Sequence, residues 1–260
     1  RLLIRTRVER VITENGAAVG VAARRHGSPL AIYGRSVVLA AGAGNVAILR
    51  RAGIAEAGRS FCCDWLQFMG AVIPGQNTVR ANPMSVGSTA LYGKQGLVVM
   101  PVFPSWAQFS VLLGMMGFPA LPRLADYWKY SGCMVKIRDE KAGTIGPGRR
   151  FSKPVTATDR RRLAAGIDII KAVFRKAGAD MGSLFVMDPI GAHPSVACPI
   201  GEVVDVNLET PIGGLYCCDA SVFPESLGLP TVWTIVSLGK RLARHLAGKL
   251  APSTGRGRAA

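Results

Sequence analysis

Apolar and polar positions alternate over residues 3 to 13, where Leu3, Ile4, Val8, Val11 and Ile12 recur among charged neighbours, and this rhythm predicts a strand. Glu14-Asn15-Gly16 then has hairpin-turn chemistry, because Asn and Gly tolerate positive φ, and leads into a second strand over Ala18 to Ala22. A turn at His26-Gly27-Ser28-Pro29 precedes strands at Ala31 to Tyr33 and Ser36 to Ala41. Within the latter, Val37-Val38-Leu39-Ala40-Ala41 is continuously apolar, as a parallel strand covered on both faces would be. Gly42-Ala43-Gly44-Asn45 ends that run, and Val46 to Ala52 is expected to be helical up to a stop at Gly53. A strand, a small-residue turn and a helix in succession let a ligand approach the backbone of an open α/β sheet, although a tight turn without a ligand looks the same.

The rhythm is lost between residues 66 and 150. From Gln95 to Pro122 there is no charged residue, a length that invites a membrane-spanning reading. Pro101, Pro104 and Pro119 argue against a continuous helix, since each interior proline costs about 3 kcal/mol. Strands and loops of a buried sheet are therefore expected, with an apolar lid as the alternative. Helical periodicity returns at Leu163, Ile167, Ile170, Val173 and Phe174, ending at Gly178, with Thr158 as the expected N-cap. Arg160 to Arg162 fall in its first turn, where the helix dipole disfavours cations. A last helix over Thr231 to Leu250, entered through Pro230, aligns Ile235, Leu238, Leu242 and Leu246. The Pro-, Gly- and Arg-containing residues 251–260 are expected to be a disordered tail.

Composition adds bounds. A chain of 260 residues with 49% apolar content can bury one large or two modest cores. Its net charge of +16 is scattered in short clusters without interleaved aromatics, so no nucleic acid is expected, while an anionic membrane surface stays open as a partner. Six cysteines include the adjacent pairs Cys62-Cys63 and Cys217-Cys218 but no C-x-x-C, and there are three histidines. No metal site is expected. The thiols read as small buried hydrophobes in a reducing, cytoplasmic setting, with membrane association left open by the apolar stretch.

Near the C-terminus several residue types coincide in order and spacing: His193, Cys198, Gly201, Val204-Asp205, Asp219-Ala220-Ser221, Pro224, Gly228 and Thr234-Ile235. This run resembles the C-terminal signature of glucose-methanol-choline (GMC) family FAD-dependent oxidoreductases. Val8-Glu9-Arg10-Val11 through Gly20-Val21 and on to Val37 to Ala43 is similar to the segment that closes the dinucleotide-binding domain in the same family. The middle of the chain matches only weakly.

The resemblance implies an α/β fold with an α+β insert: an incomplete FAD/NAD(P)-binding domain over residues 1–65 and 190–250, and a substrate-binding domain with an antiparallel sheet over 66–189. It implies FAD as cofactor and oxidation of an alcohol by hydride transfer to flavin. His193 would be the base, an imidazole being suited to exchange protons near neutrality. Val8, Ala41, Gly42, Asp219 and the Ala220 backbone would contact the cofactor. Thr231 and Val232 would turn free N–H groups at a helix start toward the flavin. Two departures stand out. Pro230 occupies the position where the family has a second His or Asn beside the flavin, leaving Thr231 as the nearest hydroxyl. The phosphate-binding Gly-x-Gly-x-x-Gly has no counterpart in these residues, so a missing segment or a separate N-terminal FAD-binding polypeptide is expected as partner. The uncharged stretch biases the substrate toward a hydrophobic alcohol. The alternative is a non-catalytic or split subunit serving assembly or membrane attachment.

Overall fold

The computed structural model describes residues 1–76, 84, 86–102 and 104–251, so the expected tail lies outside the described residues from 252 onward. The first alternating segments form β1 (Thr6–Glu14), β2 (Ala17–Arg25) and β3 (Ser28–Tyr33), paired antiparallel in that order. Asn15 and Gly16 take φ of 49° and 78° in the first turn, as the hairpin reading requires. Next come β4 (Val37–Leu39), a 3₁₀ turn at Gly42–Gly44 and α1 (Asn45–Arg51). The expected strand over Ser36 to Ala41 is thus shorter, and Val38 is 43% exposed rather than covered on both faces. Among the described residues β4 has a strand on one edge only, and its buried side chain is Leu39, so the apolar run lines the margin of the core.

The remaining strands and α-helices are β5 (Trp65–Val72), α2 (Tyr92–Gln95), β6 (Leu97–Pro101), α3 (Trp106–Met115), β7 (Tyr130–Ile137), β8 (Thr144–Ile145), β9 (Phe151–Ser152), α4 (Ala157–Lys176), β10 (Asp180–Val186), β11 (Ile190–Gly191), β12 (Leu215–Cys217) and α5 (Val232–Leu250), with a 3₁₀ segment over Phe118–Lys129. An antiparallel sheet runs β10-β5-β7-β6, with β11 also paired to β5. One face buries Met69, Val135 and Ile137 against Leu163, Ile167 and Ile170 of α4. Gly166 allows this close approach, since a Cβ there would lie 2.1 Å from Val135 Cγ2. The other face carries Phe68, Tyr130 and Phe185 against Phe109, Leu113 and Tyr127.

The uncharged stretch therefore supplies one buried strand, β6, as expected, and then a helix that was not. Pro101 and Pro104 lie before α3 and Pro119 after it, so none interrupts it, and Ser105 and Gln108 close a capping box at its start. No described helix is long and apolar enough to cross a membrane. α4 begins with a capping box between Thr156 and Asp159, so the N-cap is Thr156 and not Thr158. Asp159 in the first turn offsets the dipole conflict of the neighbouring arginines, and Arg161 turns its guanidinium back to Thr158 Oγ1.

β12 pairs parallel with β4, Tyr216 opposite Val38, and this pair sits in a second core with Val46, Leu49, Cys198, Leu208 and Phe223. α5 lies on that core through buried Leu242 and half-buried Ile235, Leu238 and Leu246, the stripe expected from the sequence. Cys62, Cys63, Cys198 and Cys217 are buried free thiols, as their reading as small hydrophobes requires. The chain is mixed α/β with antiparallel sheets, matching the expected fold class.

Candidate functional site

His193 reaches its place through backbone zippering. The Cys63 carbonyl accepts from His193 N at 2.9 Å and Ala192 N at 2.8 Å, and the Cys62 carbonyl accepts from Ser195 N at 2.9 Å. Gly191 permits the contact, because a Cβ there would stand 2.8 Å from Cys63 Sγ. The next residue of that strap, Asp64, takes a left-handed φ of 51°. Lys136 arrives from β7, where period-two alternation puts Val135 and Ile137 on the α4 face and Lys136 on the opposite face.

These three side chains meet closely. Lys136 Nζ is 2.8 Å from His193 Nδ1 and 2.9 Å from Asp64 Oδ2, and His193 Nδ1 is 3.1 Å from the same Oδ2. The Lys136 and Asp64 side chains are 3% and 1% exposed, that of His193 38%, so the cluster opens to solvent only through the imidazole. Asp64 Oδ1 accepts from Ser226 Oγ at 2.7 Å and Gly228 N at 3.2 Å. One carboxylate thus ties both halves of the C-terminal signature, the His193 strap and the Gly228 loop. Beneath it, Asp139 accepts from Cys63 N, from Asp64 N and from Lys153 Nζ at 2.9 Å.

The electrostatics follow from burial and pairing. Burial alone would raise the Asp64 pKa, but the His193 hydrogen bond, the Lys136 charge and the Ser226 hydroxyl outweigh it and hold the carboxyl below its ordinary value. Burial pushes the Lys136 amine below the usual lysine range, with Asp64 and Asp139 offsetting part of the effect. Burial and the Asp139 charge push the Cys62 and Cys63 thiols up to about 12.

The other residues singled out from the sequence fall into a second group. Asp219 follows β12 and uses both carboxylate oxygens within the chain: Oδ2 accepts from Gly42 N at 2.8 Å and Asn45 Nδ2 at 2.9 Å, and Oδ1 from Ser221 N at 2.8 Å. The Ala220 carbonyl accepts from Val196 N, and Ala41 N donates to Asn45 Oδ1. Val8 and Ala41 line a cavity of about 1040 Å³ whose wall also includes Arg7, Arg51, Trp65 and Pro194, the residue after His193. That volume is at the upper end of small-molecule sites, roughly 300–1,000 Å³. Thr231 is buried at the entry to α5 with its carbonyl accepting from Ile235 N, and Val232 and Trp233 after it are exposed.

A large anionic cofactor fits these features. Small residues Ala41, Ala43, Gly44 and Ala47 leave the wall of the cavity open, and Arg7, Arg50 and Arg51 supply positive charge. Trp65 lines it as well, and its buried indole N–H has no partner among the described residues. Sequence reasoning missed Asp64 and Lys136. The signal for Lys136 was present: it is the one charged residue in the strand Tyr130-Ser-Gly-Cys-Met-Val-Lys-Ile137. Asp64 gives no local signal, because its role depends on contacts from Lys136 to Gly228 that only the fold brings together.

Comparison with known proteins bears on this arrangement. No family model matches the sequence. An uncharacterized protein of Methanocaldococcus jannaschii is 36% identical over 115 residues, which cover 44% of this chain and 29% of that protein. Among solved structures, pyridoxine 4-oxidase from Mesorbium loti superposes with a TM-score of 0.64 at 17% identity over 94% of this chain and 57% of its own. Formate oxidase gives a TM-score of 0.70 at 12% identity, covering 94% and 60%. An FAD-dependent oxidoreductase from Chaetomium thermophilum gives 0.62 at 14% identity, covering 95% and 61%. This chain shares their fold. It spans under a third of the curated relative's length and about three fifths of each solved structure.

Proposed function

We propose that this chain forms the substrate-binding sheet and the closing part of the flavin domain of a GMC-type FAD-dependent oxidoreductase that oxidises an alcohol. The observation that carries the reading is the placement of His193, anchored through Nδ1 to a buried ion pair, next in sequence to Pro194 on the wall of the large cationic cavity. FAD, when bound, would supply the hydride acceptor. Val8, Ala41 and Trp65 would hold it along the cavity wall, with Arg7, Arg50 and Arg51 facing its anionic part. Asp219, by bonding Gly42 and Asn45, would fix the strand-to-helix turn rather than touch the cofactor through its carboxylate. The start of α5 at Thr231 and Val232 would offer N–H groups to the flavin's polar edge. His193 would take the hydroxyl proton at Nε2, the nitrogen with no partner among the described residues.

The test is alcohol-dependent flavin reduction in the protein carrying this chain. His193→Ala is expected to abolish it, and near-normal reduction in that variant would remove His193 as the base. Pro230, which offers no polar side-chain group where the family has His or Asn, favours a second reading as a non-catalytic or split subunit. Flavin absorbance of the purified chain, alone and with an N-terminal FAD-binding polypeptide, separates the two: bound flavin with no reduction by any alcohol supports the subunit.

A further inference from the structure

Nδ1 of His193 faces two groups with incompatible demands. An ammonium can only donate and a carboxylate can only accept. When Lys136 is charged, it donates to Nδ1 and to Asp64 Oδ2, which leaves the imidazole proton on Nε2 and makes the outward edge a donor. When Lys136 is a neutral amine, Nδ1 carries the proton and donates to Asp64 Oδ2, and Nε2 presents a bare lone pair. A charged Lys136 with a protonated Nδ1 would set N–H against N–H at 2.8 Å. The two permitted states differ by one proton and by whether His193 can act as a base at all.

We propose that Asp64, Lys136 and His193 form a proton relay in which Lys136, a positioning residue, sets the tautomer of His193 and stores the proton taken from the substrate. The proposal rests on the reading of His193 as the base. With bound FAD as the group that would accept the hydride of the alcohol carbon, the hydroxyl proton would go to Nε2 and the Nδ1 proton would pass to the Lys136 amine. The imidazole ends neutral with its proton on Nε2, the substrate leaves as a carbonyl compound, and Lys136 ends as an ammonium paired with Asp64. Asp64 stays ionised throughout, supported by Ser226 Oγ and Gly228 N on its other oxygen. The proton comes to rest on a group that is 3% exposed, reached from solvent only through the imidazole.

The surroundings allow Lys136 to lose a proton more easily than a surface lysine, because burial lowers its pKa. The titratable groups around it are Asp64 on the strap before β5, His193 on the strap after β11, and Asp139 after β7. Asp139 is itself paired with Lys153, and the Cys62 and Cys63 thiols, raised to about 12, stay neutral across the working range.

The test reads tautomers directly. The chain has three histidines, so selective ¹⁵N-histidine labelling with His193→Gln as the assignment control isolates the His193 ring in the protein carrying this chain, without flavin. The wild type is expected to switch from the Nε2–H to the Nδ1–H form as pH rises through the Lys136 titration. Lys136→Met should hold Nδ1–H on both sides of that transition. Lys136→Arg, which keeps the charge and cannot release a proton, should hold Nε2–H and lower alcohol-dependent flavin reduction by about 10²-fold or more. Should Lys136→Met fail to fold, the contrast between the wild type and Lys136→Arg carries the measurement. One tautomer shared by the wild type and these variants at every pH would overturn the relay while leaving the flavin reading intact. A normal switch in a protein that never binds flavin would overturn the flavin reading instead.

Discussion

Asp64 divides its oxygens between two tasks, Oδ2 for His193 and Lys136 and Oδ1 for the Ser226 to Gly228 loop. Because its folded pKa lies below the ordinary value, its stabilising contribution is complete above the unfolded carboxylate pKa of about 3.9 and is lost as pH falls through the lower folded value. The stability gap between wild type and Asp64→Asn should therefore be constant near neutrality and shrink below roughly pH 4, as urea melts at stepped pH would show. Removing Lys136 alone leaves the buried carboxylate without its lysine counter-charge, a loss of about 3–5 kcal/mol in urea unfolding. Gly228 makes its own demand: φ is 61° and a Cβ would lie 2.6 Å from Arg138 N. Gly228→Ala should cost about 1–3 kcal/mol in denaturant unfolding, with His193 ring resonances shifting as the loop moves.

At the scale of the element, α4 offers a comparison between two threonines in one turn. Thr156 Oγ1 accepts from Asp159 N at 3.1 Å and Asp159 Oδ2 accepts from Thr156 N at 3.2 Å, a reciprocal pair. Thr156→Ala should destabilise by about 1 kcal/mol. Thr158→Ala, which loses one exposed contact to Arg161, should stay within about 0.5 kcal/mol. Thermal melts of the two variants distinguish them. The sequence placed this helix correctly because Leu163, Ile167, Ile170 and Phe174 recur at its period, yet misplaced the cap by half a turn. Thr156 and Thr158 both precede the apolar stripe, and the reciprocal hydrogen bonds with Asp159 select Thr156. α3 was missed for a related reason: it is apolar on its exposed side as well, with Trp106, Val111 and Met115 outward, so no periodicity marks it.

For the molecule as a whole, the α/β class was legible because strand alternation and hairpin turns are local, whereas the antiparallel sheet of the middle segment was expected only from the resemblance around His193. The surroundings of His193 were not legible. Asp64, Lys136 and Ser226 are far apart in sequence, and their convergence depends on the β5–β7 register and on the strap between Cys63 and His193. Asp219 was legible as a motif residue, whereas its partners Gly42 and Asn45 become visible only when β12 lies beside β4.

The short parallel pair β4–β12 has a further consequence. On the side away from β12, β4 presents backbone N–H and C=O groups without a strand partner among the described residues, next to an exposed Val38. In this chain taken by itself, such an edge is a template for lateral association between copies. What opposes it is the +16 charge, whose mutual repulsion extends about 10 Å at 0.1 M salt and only about 3 Å at 1 M. The colloidal stability of the chain should therefore be governed by ionic strength: light scattering should be low in dilute buffer and climb with added sodium chloride. A charged substitution at Val38, such as Val38→Lys, should move the onset of scattering to higher salt.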